Sequence, residues 1–221
     1  MKAGQWEPLC PACGLALRPV LTKESDPFRT TSVYGVTKMG QEELALTTGA
    51  AYGIPTVALR FFNVYGPGQS LSNPYTGVAA IFMSRLKNRR APVIYEDGLQ
   101  SRDFTSVHDV VQAVGLALRG KPGAERVFNV GTGVTTTILD IARLLARALK
   151  VEIAPKALNK FRTGDIRHCG ADIRRIGAAL GYRPKVALEE GLSELVDWAA
   201  SVDARDGFER AQRELARRGL V

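Results

Sequence analysis

Two short stretches hold residue types whose spacing could do chemistry. Tyr34-Gly-Val-Thr-Lys38 sets a phenol and an ammonium four residues apart. On a helix, positions i and i+4 share a face. An ammonium beside a phenol favours the phenolate, and a phenolate can take a hydroxyl proton while a hydride leaves the same carbon. A surface pair on a solvated helix face satisfies the same spacing, so the pair alone does not decide. Cys10-Pro-Ala-Cys13-Gly is a knuckle-type turn in which two thiolates can face one metal. A tetrahedral structural site needs four ligands. Cys169 and His168 lie far along the chain, so Cys10 and Cys13 are at most a weak half-site, and a metal-free turn is the preferred reading. Three cysteines are an odd count and do not suggest a disulfide framework. His108 and His168 have no base or metal partner at a useful spacing and read as structural.

These residues must be positioned by regular elements, and the periodicity predicts a mixed α/β order. Residues 1–31 lack periodicity and read as an irregular lead-in. Residues 32–52 have helical spacing, with Gly53 as a stop and Pro55 just beyond. Residues 56–63 are apolar almost throughout, as strands buried on both faces are, and residues 65–69 then form a loop. A helix is expected over 75–88, short strands over 92–95 and 104–107, and a helix over 108–118 with Asp109 in its first turn. A second buried strand follows over 126–131, then a clear amphipathic helix over 135–149 and a strand over 151–154. Residues 161–170 read as irregular. Helices over 172–180, 188–200 and 204–219 complete the chain.

Five stretches, in order, give the sequence a resemblance. They are Ser32-Val-Tyr-Gly-Val-Thr-Lys38, Leu59-Arg-Phe-Phe-Asn-Val-Tyr-Gly-Pro-Gly-Gln69, Gly98-Leu-Gln-Ser-Arg-Asp-Phe-Thr-Ser-Val-His-Asp109, Phe128-Asn-Val-Gly-Thr-Gly133, and Gly164-Asp165 followed by Gly181-Tyr-Arg-Pro184. Over about residues 25–201 the chain resembles the extended short-chain dehydrogenase/reductase family, specifically its NAD-dependent nucleotide-sugar epimerases and dehydratases. The resemblance implies the C-terminal portion of a Rossmann-type parallel sheet plus a small α/β substrate-binding lobe. It implies Tyr34 as the catalytic base and Lys38 as its partner, both touching the NAD, with Phe61 and Val64 flanking the nicotinamide near the 62–64 turn. Asn63, Arg102 and Arg162 are then the diphosphate ligands, and Asp165 the ribose ligand. An amide donates without adding charge, a guanidinium can grip phosphate bidentately, and a carboxylate accepts from ribose hydroxyls. On the residues alone, Asn63 is equally a turn residue, Arg102 a surface ion pair with Asp103, and the Arg162–Asp165 stretch a solvated loop. Asn129 reads as shaping a strand end.

The sequence also departs from the family's pattern. No Gly-x-x-Gly-x-x-Gly precedes Tyr34, and Gly131-Thr-Gly133 is not a dinucleotide fingerprint. Thr31 and Ser32 are too close to Tyr34 to be assigned as the family's upstream catalytic Ser/Thr. The expected organisation is a lead-in over 1–24, the remnant of a cysteine-bearing insertion. A partial epimerase/dehydratase domain follows over 25–201 and a charged terminal helix over 202–221. NAD binding and activity are expected to be weak in the chain alone. The alternatives are a non-catalytic nucleotide-sugar binding module, one half of a split enzyme, or a 4,6-dehydratase.

Composition narrows the classes. The 221 residues are 45% hydrophobic and 24% charged, ordinary for a globular domain. No apolar run reaches the roughly 20 residues of a membrane span, and 1–19 has no signal-type apolar stretch, so a cytoplasmic protein with no membrane partner is expected. The net charge of +8 is spread out, with no interleaved aromatics, which suits an anionic metabolite better than nucleic acid. A homodimer or a missing N-terminal half is the expected macromolecular partner.

Overall fold

The computed structural model describes residues 4–73, 76–120, 126–161, 164–217 and 219. In chain order its elements are α1 (Val33–Ala51), β1 (Ala58–Phe61), β2 (Asn63–Tyr65), α2 (Val78–Lys87), β3 (Val93–Ile94), β4 (Ser101–Arg102), β5 (Phe104–Ser106) and α3 (Val107–Arg119). There follow β6 (Val127–Val130), β7 (Thr136–Thr137), α4 (Ile138–Ala148), β8 (Lys156–Ala157), β9 (His168–Cys169), α5 (Arg174–Leu180), α6 (Leu188–Ala200) and α7 (Phe208–Arg217). No helix among the described residues is long and apolar enough to cross a membrane.

The apolar run that begins at Thr56 is split in two, which corrects the single strand expected there. β1 runs parallel to β6, from Ala58↔Val127 to Phe61↔Val130. β2 runs parallel to β5, from Asn63↔Phe104 to Tyr65↔Ser106. The change of neighbour takes one residue: the Phe62 N–H donates to Val130 O at 3.1 Å and the Asn63 N–H to Asp103 O at 3.0 Å. Residues 62–64 are therefore a passage between two strands and not a turn, and Tyr65 ends β2 instead of opening the loop. The two parallel pairs confirm the Rossmann-type reading.

Other strands are set by pairing that local pattern does not reveal. The strand expected over 151–154 is displaced to β8, where it runs parallel to β3. The stretch 161–170 is not wholly irregular, because β9 joins β4 in parallel while β7 joins β4 antiparallel. The helix expected over 75–88 is α2, and Tyr75 lies outside the described residues.

Two apolar clusters hold the elements. The larger packs α2, α4 and α6 around Phe82, Met83, Leu86, Ile141, Leu145, Leu192 and Leu195, with Tyr65 beneath them. Burying each such leucine, isoleucine or phenylalanine contributes about 1.5–3 kcal/mol. Gly191 of α6 lies so close to Tyr65 that an added Cβ would stand 2.3 Å from the phenol oxygen, so no larger residue fits there. The smaller cluster packs α3 and α5 on β6 through Val110, Ala113, Phe128, Val130, Ile176 and Tyr182. The Asp109 carboxylate does more than complement the helix dipole of α3, since it accepts from the Lys185 and Val186 N–H groups at 2.8 and 3.3 Å.

α1 stands apart from both clusters. Ser32 caps it, its Oγ accepting from the Gly35 N–H at 3.1 Å. Gly49 is its buried residue, pressed against Thr56, while Val33, Val36 and Leu44 are exposed.

Candidate functional site

Tyr34 and Lys38 occupy the first turns of α1, and both side chains face solvent; Tyr34 is 69% exposed. The Lys38 Nζ lies 5.6 Å from the centre of the Tyr34 ring and donates to Gln41 Oε1 at 3.2 Å. The i, i+4 spacing thus brings phenol and ammonium onto one helix face, as the sequence predicts. Ser32 serves as the helix cap.

α1 is held over the sheet by one arginine. Arg60 of β1 donates through Nε and Nη2 to the Glu42 carboxylate at 2.8 and 2.7 Å, and through Nη1 to Glu24 O at 3.2 Å. Its guanidinium also stacks 4.5 Å from the centre of the Phe28 ring. The hydrogen bonds to Glu42 chiefly raise the Arg60 pKa, against the opposing effect of burial. Phe61, next along β1, is 49% exposed at the strand end. Val64 instead packs against the smaller apolar cluster.

Asn63 and Arg102 are brought together through the backbone. Asn63 N–H donates to the carbonyl of Asp103, the residue after Arg102. The Arg102 guanidinium is half-buried and donates through Nη1 to Ser101 O and Arg167 O at 2.8 and 3.1 Å. Asp165, two residues before Arg167, is half-buried on the same loop. This loop reaches back toward the start of α1, with Thr31 Oγ1 donating to Gly164 O at 3.5 Å. Arg162 lies outside the described residues.

The surface ion pair between Arg102 and Asp103 does not form that way. Successive residues on an extended chain point to opposite sides, and Asp103 is fully buried. Its carboxylate accepts from the N–H groups of Thr132, Gly133 and Ala171 at 2.8, 2.9 and 3.2 Å, and from Thr132 Oγ1 at 2.8 Å. Sequence reading missed this residue; the available signal was the Gly131-Thr-Gly133 turn, whose N–H groups need an acceptor.

A second missed group is centred on Arg167. Its guanidinium bonds Glu7, Glu96 and Asp97 at 2.6–3.0 Å. Burial opposes its charge, but these three carboxylates outweigh that and raise its pKa. His168 bridges Glu7 at 2.9 Å and Ser101 Oγ at 2.8 Å. His108 contacts Glu194 at 2.8 Å. Asn129 ties the lead-in to the end of β6: its side chain donates to Thr22 O at 2.9 Å, and its N–H donates to Glu24 Oε1 at 2.9 Å.

The Tyr34 phenol and the Lys38 ammonium are groups of the kind that the reacting end of a nicotinamide dinucleotide would need. The phenol and the ammonium share the open first turns of α1, and Phe61 is exposed at the end of β1. In the turn between β6 and β7, the N–H groups of Thr132 and Gly133 are donated to Asp103.

Comparison with known proteins bears on the family and the fold. The profile of the NAD dependent epimerase/dehydratase family matches residues 15–131. The chain is 39% identical over 200 residues to a dTDP-L-rhamnose 4-epimerase of Burkholderia thailandensis, which covers 90% of this chain and 53% of that protein. It superposes with a TM-score of 0.75 on the UDP-glucose 4-epimerase of Thermotoga maritima solved with UDP-glucose, at 35% identity, covering 83% of this chain and 58% of that one. The Thermus thermophilus UDP-glucose 4-epimerase complex with NAD gives a TM-score of 0.73 at 32% identity, over 85% of this chain and 60% of that one. The chain thus spans little more than half the length of these relatives. With its ordered motifs, its parallel strand pairs and this match, the chain belongs to the NAD dependent epimerase/dehydratase family.

Proposed function

We propose that this chain carries the substrate side of an NAD-dependent nucleotide-sugar 4-epimerase acting on a dTDP- or UDP-sugar. The reading rests chiefly on one arrangement. The Tyr34/Lys38 pair sits at the open start of α1, beside a loop that also bears Asp165 and whose Arg167 carbonyl holds Arg102. Bound NAD would supply the hydride acceptor and donor. Tyr34 would take the proton from the C4 hydroxyl and later return it to O4. Lys38 keeps a positive charge beside the phenol and meets the ribose hydroxyls. Phe61, exposed at the end of β1, borders the nicotinamide, while Val64, assigned there by resemblance, packs in the smaller apolar cluster. Asn63, Arg102 and Arg162 hold the diphosphate and Asp165 the ribose.

On this reading residues 25–201 form the epimerase/dehydratase part, 1–24 the remnant of an inserted segment and 202–221 a terminal extension. The enzyme would work in the cytoplasm, as a homodimer or with an N-terminal half. With no Gly-x-x-Gly-x-x-Gly stretch before Tyr34 in this sequence, the chain alone is expected to hold little NAD and to turn over slowly. The second reading is a non-catalytic nucleotide-sugar binding module, or one half of a split enzyme, and the high exposure of Tyr34 favours it over a self-sufficient enzyme. Calorimetry with UDP- and dTDP-sugars, with and without NAD, separates the readings. Sugar binding strengthened by NAD supports the enzyme, and sugar binding indifferent to NAD supports the module. Absence of any nucleotide-sugar binding sinks both.

A further inference from the structure

Among the described residues, four that are not glycine have a left-handed φ: Arg89, Glu96, Lys150 and Asn159. Arg89 and Lys150 are exposed and lie just past the ends of α2 and α4, where helices commonly exit through a left-handed residue. Asn159 is exposed and of a type that tolerates this backbone. Glu96, at a φ of +54°, follows no helix and is only 3% exposed. A long side chain is strained there, and a carboxylate is costly to bury. Such strain persists only where the surroundings hold it, and it concentrates at functional sites.

The bonds of Glu96 reach two separate stretches of chain. Its N–H donates to Lys160 O at 2.9 Å, and its carbonyl accepts from the Asn159 N–H at 3.0 Å. Its carboxylate accepts from Arg167 Nη1 at 2.7 Å, with both side chains almost wholly out of solvent. One residue thus holds the chain on both sides of Asp165, at Lys160 and at Arg167. Arg167 passes this hold on: its carbonyl accepts from Arg102 Nη1 at 3.1 Å and from the Ser101 N–H at 3.0 Å. Charge neutralisation alone does not account for Glu96, because the Arg167 guanidinium already donates four hydrogen bonds to Glu7 and Asp97.

We propose, on the nucleotide-sugar reading above in which Arg102 binds the diphosphate, that Glu96 is a positioning residue for Arg102. By fixing Lys160 and Arg167 to one point it sets the carbonyl that orients the Arg102 guanidinium toward a nucleoside diphosphate. Glu96 acts through Arg167 and meets no ligand itself. A planar guanidinium grips phosphate bidentately only when its plane is fixed, and a binding group whose supports are loosened loses affinity without leaving the site. The second support of Arg102 Nη1 is Ser101 O at 2.8 Å, on the strand that the same Arg167 carbonyl pairs.

The test is calorimetric titration of the whole chain with UDP and with dTDP, alongside urea denaturation to show that each variant is folded. Glu96→Gly suits the left-handed backbone and removes the carboxylate. It should weaken nucleotide affinity about fivefold, and Arg102→Ala about tenfold. Adding Glu96→Gly to Arg102→Ala should change affinity by less than about twofold, because the two residues act through one contact. Glu96→Gln keeps the volume and one acceptor oxygen, so it should fall between Glu96→Gly and the unaltered chain, and it carries the same comparison if Glu96→Gly does not fold. Full affinity in a folded Glu96 variant, with Arg102→Ala weakened, overturns the proposal and leaves the nucleotide-sugar reading standing. An equal loss with and without Arg102 also overturns it, since that marks a role in the fold alone. Full affinity in Arg102→Ala, or no binding of either nucleotide by the unaltered chain, overturns the nucleotide-sugar reading and the proposal with it.

Discussion

The Arg60 guanidinium clasps the Glu42 carboxylate with two hydrogen bonds of 2.8 and 2.7 Å, and this pair bolts α1 to the sheet. α1 has little else to hold it, because its buried residue, Gly49, lies at its far end. Charge-assisted hydrogen bonds contribute about 1.5–3 kcal/mol. Arg60→Ala should therefore lower the unfolding free energy by about 2 kcal/mol. It should also speed hydrogen exchange of α1 amides while those of α4 stay protected. Equal acceleration in both helices would show that the pair does not act locally.

Asp103→Asn tests the buried acceptor. The carboxylate offers two oxygens to the N–H groups of Thr132, Gly133 and Ala171, whereas an amide offers one oxygen and points an NH2 at a donor. Leaving such a group unsatisfied costs about 1–3 kcal/mol. The variant should lose roughly that much in a urea titration and weaken nucleotide-sugar binding as well, since Asp103 also receives the Asn63 N–H on its carbonyl and adjoins Arg102. An unchanged denaturation midpoint would refute this role.

Acid should destabilise the chain in a defined window. Burial raises the Glu7 and Asp97 pKa values, but hydrogen bonds outweigh it, from His168 and Arg167 on Glu7 and from Arg167 and the Leu99 N–H on Asp97. Asp172 is drawn down to about 2, chiefly by Arg174. A carboxyl whose folded pKa is depressed contributes stability that is present above its unfolded pKa and lost as pH falls through the folded one. Unfolding midpoints should thus hold steady near neutrality, begin to fall around the ordinary values of 4.5 and 3.8, and keep falling toward about 2. Glu7→Gln should flatten the upper part of that decline.

Binding and chemistry should separate between two residues. Arg102→Ala should weaken UDP- or dTDP-sugar affinity about tenfold or more, since a charge-assisted contact is worth about 1.5–3 kcal/mol. Tyr34→Phe should leave that affinity within about a factor of two, while turnover in the presence of a dinucleotide-binding half falls by about 10²–10⁴, the usual worth of a general acid–base group. If Tyr34→Phe instead loses affinity and keeps turnover, the two roles are wrongly assigned.

The helices were the legible part of the fold. α6 runs over the same residues, 188–200, that its pattern predicts, because one face of it is buried against α4 and the 3.6-residue period shows through. The two-residue strands β4, β8 and β9 were not, since they exist through pairing with distant segments and carry Ser, Arg, Lys and His. The split between β1 and β2 was hidden for a related reason: both halves are apolar, and only the hydrogen bonds of Phe62 and Asn63 reveal two neighbours. At the site, the spacing of Tyr34 and Lys38 was readable because helix geometry fixes it. Asp103 was not, because an aspartate beside an arginine reads as its counter-ion until alternation along the chain sends the two apart.

β1 hydrogen-bonds to β6 alone among the described strands. Beside it, a hollow of about 640 Å³ opens between Ile54, Pro55, Val57, Leu59, Val114 and Leu118. An unsatisfied strand border next to apolar surface accepts any extended segment that reaches it. The counterweight is the net charge of +8, which keeps copies of the chain apart through their mutual repulsion. Pairing at that border is thus opposed by a charge whose reach depends on ionic strength. In dilute salt the repulsion reaches beyond about 10 Å and opposes pairing at the strand border, whereas at high salt it is screened.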